Sequence, residues 1–284
     1  MQCQDINIRD PFILCEDGKF YMYGTRAANF GRQTGGFDVY ISTDLTNWSD
    51  PIPCFDSAAF DLNADVNWAP EVHKYQGSYY MFATFNQKNG DRGTFILKAD
   101  NPLGPFAPHS HGAVTPAGWV CLDGTLYISK AGLPYLVFCH EHTQIIDGTI
   151  CYVQLNRELT ATVGDPVTLF AASTCPYVDK HERTGHYVTD GPFLYRTKTD
   201  ELIMIWSSFI QNQYAELQVR FEGGELGMEL THLPPLLDND GGHGMLFRKD
   251  GALQLTFHSP NLRGTERPAF VAISDQGTHL AIHP

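Results

Sequence analysis

Self-similarity constrains this chain more than any other feature. A polar segment with a tight Gly or Pro leads into an apolar strand, a turn follows, and a second strand rich in Tyr, Phe, Leu and Met runs back. The copies read RDPFILCEDGKFYMYGT from Arg9, APEVHKYQGSYYMFAT from Ala69 and LDGTLYISKAGLPYLVFCHE from Leu122. Two more follow, TDGPFLYRTKTDELIMIWSS from Thr189 and GHGMLFRKDGALQLTFHS from Gly242. Their starts lie roughly 50 to 70 residues apart, a spacing that marks a repeat architecture.

Each copy reads as a hairpin, with turns at Asp17-Gly18, Gln76-Gly77, Ala131-Gly132, Thr199-Asp200 and Asp250-Gly251. Strand-like pieces lie between the copies: Phe37 to Ser42, Thr94 to Lys98 and Thr149 to Leu155. No segment sustains a 3.6-residue apolar stripe, so helices are expected to be scarce. Five all-β units of this size predict a five-bladed β-propeller, one domain over residues 1–284. A double-sheet sandwich does not account for five equivalent copies. WD-type repeats are shorter and carry a Trp-Asp signature that is missing here. Asp5 to Ile8 is expected to lead into the first inner strand, and Ala269 to Ile273 to complete the last blade, with only a short tail and no appended module beyond it.

Charge narrows the partners. Of 284 residues, 32 are acidic and 19 basic, for a formal charge of −13. A surface this acidic repels phosphate backbones and anionic lipid, so nucleic acid and membrane surfaces are excluded as expected partners and neutral ligands remain. No apolar run approaches the roughly 20 residues that span a bilayer. The seven cysteines are widely spaced, without a C-x-x-C, and read as buried thiols rather than zinc ligands or a disulfide frame. No basic stretch followed by an apolar run opens the chain, which reads as cytoplasmic as it stands, or periplasmic or secreted if a leader was trimmed.

Propeller geometry locates a site before any chemistry is invoked. The inner strand of each blade lines the central channel and the second strand returns beside it, so the start of one and the end of the other share a face. That gathers Asp10, Glu71, Asp123, Asp190 and His243 at one channel mouth, ringed by Thr25, Thr84, Glu141, Ser208 and His258. Two or three carboxylates facing a pocket are what glycosidic cleavage needs: one protonates the leaving oxygen, another activates water or attacks the sugar. Asp-Pro and Asp-Gly are also ordinary turn residues, but three at matching repeat positions are more than turns require.

Arg9-Asp10-Pro11, Trp68-Ala69-Pro70-Glu71, Leu122-Asp123-Gly124, Asp190-Gly191-Pro192 and His243, in this order over nearly the whole chain, resemble family 43 of the glycoside hydrolases. These are five-bladed propeller enzymes that include arabinanases, arabinofuranosidases and β-xylosidases. The resemblance implies an inverting hydrolase of α-L-arabinofuranosyl or β-D-xylosyl linkages in plant cell-wall glycans, with an oligosaccharide or polysaccharide as substrate. It implies Asp10 as general base and Asp123 as the carboxylate that tunes and orients the acid. The family's acid is usually the Glu of a Glu-Gly-Pro motif, and here Asp190 holds that place. The acid is therefore Asp190, or Glu141 in Cys139-His140-Glu141-His142, or a histidine, or the site is dead. No cofactor is required for the chemistry, while the match of His243 to the family's channel histidine implies a calcium or other cation beside it.

Supporting candidates sort by chemistry. Trp68 and Trp206 can stack on a sugar face or serve the core. Arg9 and Arg267 can bond hydroxyls or hold carboxylates, and Asn67 and Glu71 can bond hydroxyls, Glu71 equally a neighbouring loop. The short chain and modest loops lean toward an exo-type pocket. Two other functions stand beside hydrolysis: an inactive sugar-binding propeller, motivated by Asp190, and a protein-interaction propeller, against which the clustered carboxylates argue.

Overall fold

Twenty strands in five sheets carry the repeats in a computed structural model that describes residues 1–29, 35–60, 62, 65–87 and 90–283. Each sheet is four consecutive antiparallel strands, and the five are arranged as a β-propeller. The inner strands are Ile8–Glu16, Asn67–Tyr75, Cys121–Ile128, Asp190–Arg196 and Gly242–Lys249. Each is followed by its partner: Lys19–Arg26, Ser78–Asn86, Pro134–His140, Leu202–Ile210 and Ala252–Ser259. The turns at Asp17-Gly18, Gln76-Gly77 and Asp250-Gly251 hold both central residues at positive φ, the twist that closes a two-residue hairpin. The one α-helix among the described residues is the single turn His142–Ile145.

A blade has neighbours on both faces, so its middle strands are buried on both. Residues 202–208 of blade 4 are all buried, and the second strand of blade 1 is buried from Phe20 to Thr25. This explains the unbroken apolar runs. It also corrects the reading of Trp206, which is 0% exposed and packs edge-on against Phe170 at 5.1 Å inside the joint between blades 3 and 4. Each such side chain contributes about 1.5–3 kcal/mol through burial. The last blade is completed one strand later than expected: Leu280–Ile282 pairs outside Arg267–Asp275.

No strand is exchanged where blade 5 meets blade 1; side chains close the ring. Met245 and Phe247 pack into the core of blades 1 and 2, with Phe247 edge-on to Phe20 at 6.0 Å. Asn7 donates to the Glu266 carbonyl, and Arg9 pairs with the Glu266 carboxylate at 2.8 Å. Arg267, a sugar-binding candidate from sequence, belongs to this joint. It donates to the Gln4 and Glu266 carbonyls and does not line the pocket.

Candidate active site

Every inner strand bulges at its start, and the bulge sets the site. In blade 1 the register passes from Arg9↔Thr25 to Phe12↔Tyr23, and the other four blades repeat this shift. The first bulged residue is left-handed in all five: Asp10 at φ 54°, Ala69 at 46°, Asp123 at 54°, Gly191 at 51° and His243 at 54°. A non-glycine residue pays about 1–2 kcal/mol for that conformation, with Asp among those that tolerate it best. These five are the true equivalents, which corrects the equivalence drawn from sequence. Glu71 lies two residues past the position, and Asp190 lies one before it, in register with Arg9, Trp68, Leu122 and Gly242. Opposite them on the second strands stand Thr25, Thr84, Cys139, Ser207 and His258, so Glu141 and Ser208 are also out of step.

Those second-strand residues clamp the next blade's bulge. Thr25 Oγ1 accepts the Ala69 N–H at 2.8 Å, Thr84 Oγ1 the Asp123 N–H at 3.0 Å, and Ser207 Oγ the His243 N–H at 2.7 Å. His258 closes the ring by accepting the Asp10 N–H at Nδ1, 3.2 Å away. That bond leaves its proton on Nε2, which faces Asn261 Oδ1 at 3.3 Å. At the remaining joint Cys139 offers no hydroxyl, and the Gly191 N–H donates to Asp123 Oδ2 at 3.0 Å instead. Gly191 is required there. A Cβ would fall 2.7 Å from the His243 ring.

The clamps bring three aspartates around one imidazole. His243 Nδ1 lies 3.1 Å from Asp10 Oδ1 and 3.8 Å from Asp123 Oδ2. Burial works against a charged His243, but Asp10, Asp123, Asp190 and Glu71 outweigh it and push the imidazole up to about 9. Burial would likewise raise Asp10. The charges of His243 and Arg9 and the Thr25 hydroxyl, 2.7 Å from Oδ2, hold it below the usual carboxylate range. Asp123 and Asp190 go the other way. Burial, then the neighbouring carboxylates, push Asp123 up to about 8 against the pull of His243, and burial raises Asp190 although Tyr214 donates to its Oδ2 at 3.0 Å. At neutral pH Asp10 is therefore ionised, while Asp123 and Asp190 titrate as a pair that holds a proton. His258, buried and beside Arg9, stays neutral, its pKa lowered to about 3.

These groups open into a cavity of about 350 Å³, whose lining includes Arg9, Asp10, Trp68, Asp123, Glu141, Asp190, Tyr214 and His243. Sequence reasoning placed seven of these eight. Tyr214 was missed, as were His142, His181, Arg183 and Phe209 on the same lining. Tyr214 comes from a third strand, Phe209 from the end of a second strand, His142 from the helical turn, and His181 and Arg183 from a loop, none of them at a position the repeat marks. Glu141 stands at the wall in an ion pair: its Oε2 accepts from Arg92 Nε at 2.8 Å and also from Nη2. The Arg92 guanidinium lies 5.3 Å over the Trp68 ring, which orients that indole. Asn67 is 0% exposed and, like Glu71, does not line the cavity; Glu71 lies 3.0 Å from His73 Nε2. The cation expected beside His243 finds no ready set of ligands. Calcium takes six to eight oxygens, His243 Nδ1 already faces two carboxylates, and among the described residues no three His, Cys, Asp or Glu side chains are grouped to hold a metal. The pocket's chemistry is accordingly derived from its own carboxylates and imidazoles.

Carboxylates held in opposed charge states around one cavity, at the channel mouth of a five-bladed propeller, define a glycoside-hydrolase site. The pattern of Glycosyl hydrolases family 43 matches residues 5–226, and the chain belongs to that family. A solved structure of an endo-arabinase from Bacteroides thetaiotaomicron is 38% identical, with a TM-score of 0.90 over 98% of this chain and 99% of that one. A thermostable family-43 glycoside hydrolase of known structure is 22% identical with a TM-score of 0.83, over 98% of this chain and 93% of that one, and shares the fold. An arabinoxylan arabinofuranohydrolase from Paenibacillus polymyxa is 27% identical over 224 residues, 66% of this chain. The chain spans 34% of that relative's length.

Proposed function

We propose that the pocket hydrolyses α-L-arabinofuranosyl or β-D-xylosyl linkages of plant cell-wall glycans, at chain ends and with inversion of configuration. The observation that carries this reading is the gathering of three aspartates on one cavity around His243, whose Nδ1 lies 3.1 Å from Asp10 Oδ1 and 3.8 Å from Asp123 Oδ2, with Asp10 lowered and Asp123 and Asp190 raised from the ordinary carboxylate value. Asp10 takes a proton from water, which attacks the anomeric carbon. Asp190 gives a proton to the departing oxygen. Asp123, sharing the Asp190 proton and tied to the Gly191 amide, orients the acid and keeps it protonated. His243 holds Asp10 and Asp123 in place through charge. Glu141, neutralised by Arg92, serves as wall rather than donor. Identity to the endo-arabinase over nearly the full length of both chains supports the arabinofuranosyl choice. The cavity volume supports attack at a chain end.

Sugar binding without turnover is the competing reading. It draws on the shorter Asp190 side chain and on Tyr214, which occupies one of its oxygens. NMR of the first-formed product from arabino- and xylo-oligosaccharides separates the two: inversion supports the mechanism, retention overturns the role of Asp10, and binding without product supports the competitor. Asp190→Asn should be crippled on oligosaccharides but spared on an activated aryl pentoside, whose leaving oxygen needs little protonation. If Glu141→Gln shows that dependence instead, the acid is Glu141.

A further inference from the structure

We infer that the outer wall of the pocket is a subsite for a carboxylate on the substrate, a uronosyl residue beside the scissile pentose, with Arg183 as its specificity-determining residue. The inference rests on the pentosidase reading of the same pocket. Two arginines line the cavity. Arg9 is neutralised by Glu266 at 2.8 Å. Arg183 makes no hydrogen bond or ion pair to any of the described residues.

The wall that carries it is built rather than loose. Asp179 donates its N–H to the Phe209 carbonyl and accepts the Gln211 N–H, both at 2.9 Å. Glu182 and Asn212 bond each other twice at 3.0 Å, backbone N–H to Oδ1 and Nδ2 to Oε2. The turn between them closes through the His181 N–H to the His186 carbonyl at 2.9 Å, and the His181 ring rests on Phe209 at 4.4 Å. These bonds engage the carboxylates of Asp179 and Glu182, and Arg92 neutralises Glu141 across the cavity. The Arg183 guanidinium therefore stands on the cavity lining without an ion-pair partner among the described residues. His181, its pKa lowered by burial and by Arg183, adds a ring nitrogen to the same wall.

A neutral sugar gains nothing from a guanidinium without an ion-pair partner that hydroxyl donors or a paired arginine such as Arg9 would not supply as well. An anionic glycan is repelled by a protein of formal charge −13 unless one local cation receives it. A guanidinium presents a planar fork that matches a carboxylate in a two-point contact.

The test is calorimetric binding in an Asp10→Asn background, so that no turnover intervenes. The probes are a glucuronosyl-substituted xylotriose and its methyl ester, which differ only in the charge. The acid should bind about five- to tenfold more tightly than the ester, and the preference should shrink with added salt. Arg183→Gln should bring the ratio close to one, and Arg183→Lys should keep part of it. Equal affinity for acid and ester, or a preference that survives Arg183→Gln, overturns the subsite. Because the readout is binding, a protein that prefers the acid yet cleaves no pentoside refutes the pentosidase reading and leaves the subsite standing.

Discussion

Replacing Tyr214 by Phe removes one hydroxyl and tests which carboxylate carries the leaving-group proton. The Tyr214 O–H, on a side chain only 1% exposed, donates to Asp190 Oδ2 at 3.0 Å at the cavity wall. A donor favours the ionised carboxylate, so it opposes the rise that burial imposes on Asp190. Without it the Asp123–Asp190 pair holds its proton to higher pH. A hydrogen bond to a charged group is worth about 1.5–3 kcal/mol, or about one to two pH units. The pair shares its proton, so part of the change falls on Asp123, and about one unit is the expected shift. The ring survives in Phe, and with it the stacking on His258 at 5.5 Å and 24°. The assay is kcat/KM against pH on an arabino-oligosaccharide, whose poor leaving group makes protonation count. The alkaline limb should move upward by about one unit, while the acid limb, which reports ionisation of Asp10, stays in place. An alkaline limb that does not move, or moves down, in a folded variant refutes the assignment of Asp190 as the acid.

Two further outcomes follow from the same geometry. His258 is held near 3 when folded and has an ordinary value of about 6.5 when unfolded. Between those values only the unfolded chain binds the proton, so stability is lost as pH falls from about 6.5, by up to about 1.4 kcal/mol per pH unit. His258→Asn, which retains an acceptor for the Asp10 amide, should show a flatter urea midpoint between pH 6.5 and 4; parallel lines for the two proteins would remove His258 from this role. Arg92→Ala strands the Glu141 carboxylate, whose side chain is 7% exposed, and should cost about 3 kcal/mol. Adding Glu141→Gln should restore much of it. A double-mutant cycle by chemical denaturation measures the coupling, and a value near zero would mean the pair holds nothing together.

What the amino-acid order alone determined was the architecture and the carboxylates that line the pocket. Both are local: a hairpin repeats its turn residues and its apolar run in every copy, and Asp10, Asp123, Asp190 and His243 sit just before those runs. The unbroken apolarity of strands such as LIMIWSS was also legible, although it concealed that Trp206 faces a neighbouring blade rather than a sugar. Tertiary structure decided whatever depends on counting across a bulge or meeting a distant loop. One extra residue in each inner strand moved Glu71 and Asp190 off the positions assigned by alignment, because side-chain direction changes with every residue of register. Tyr214 reaches Asp190 from 24 residues away, Arg92 reaches Glu141 from 49, and His258 reaches Asp10 from 248. No pattern within a single repeat encodes those distances. Charge state lay further still from view, since an aspartate is ionised or protonated according to what the closed ring buries beside it: His243 and Arg9 for Asp10, another carboxylate for Asp123 and Asp190.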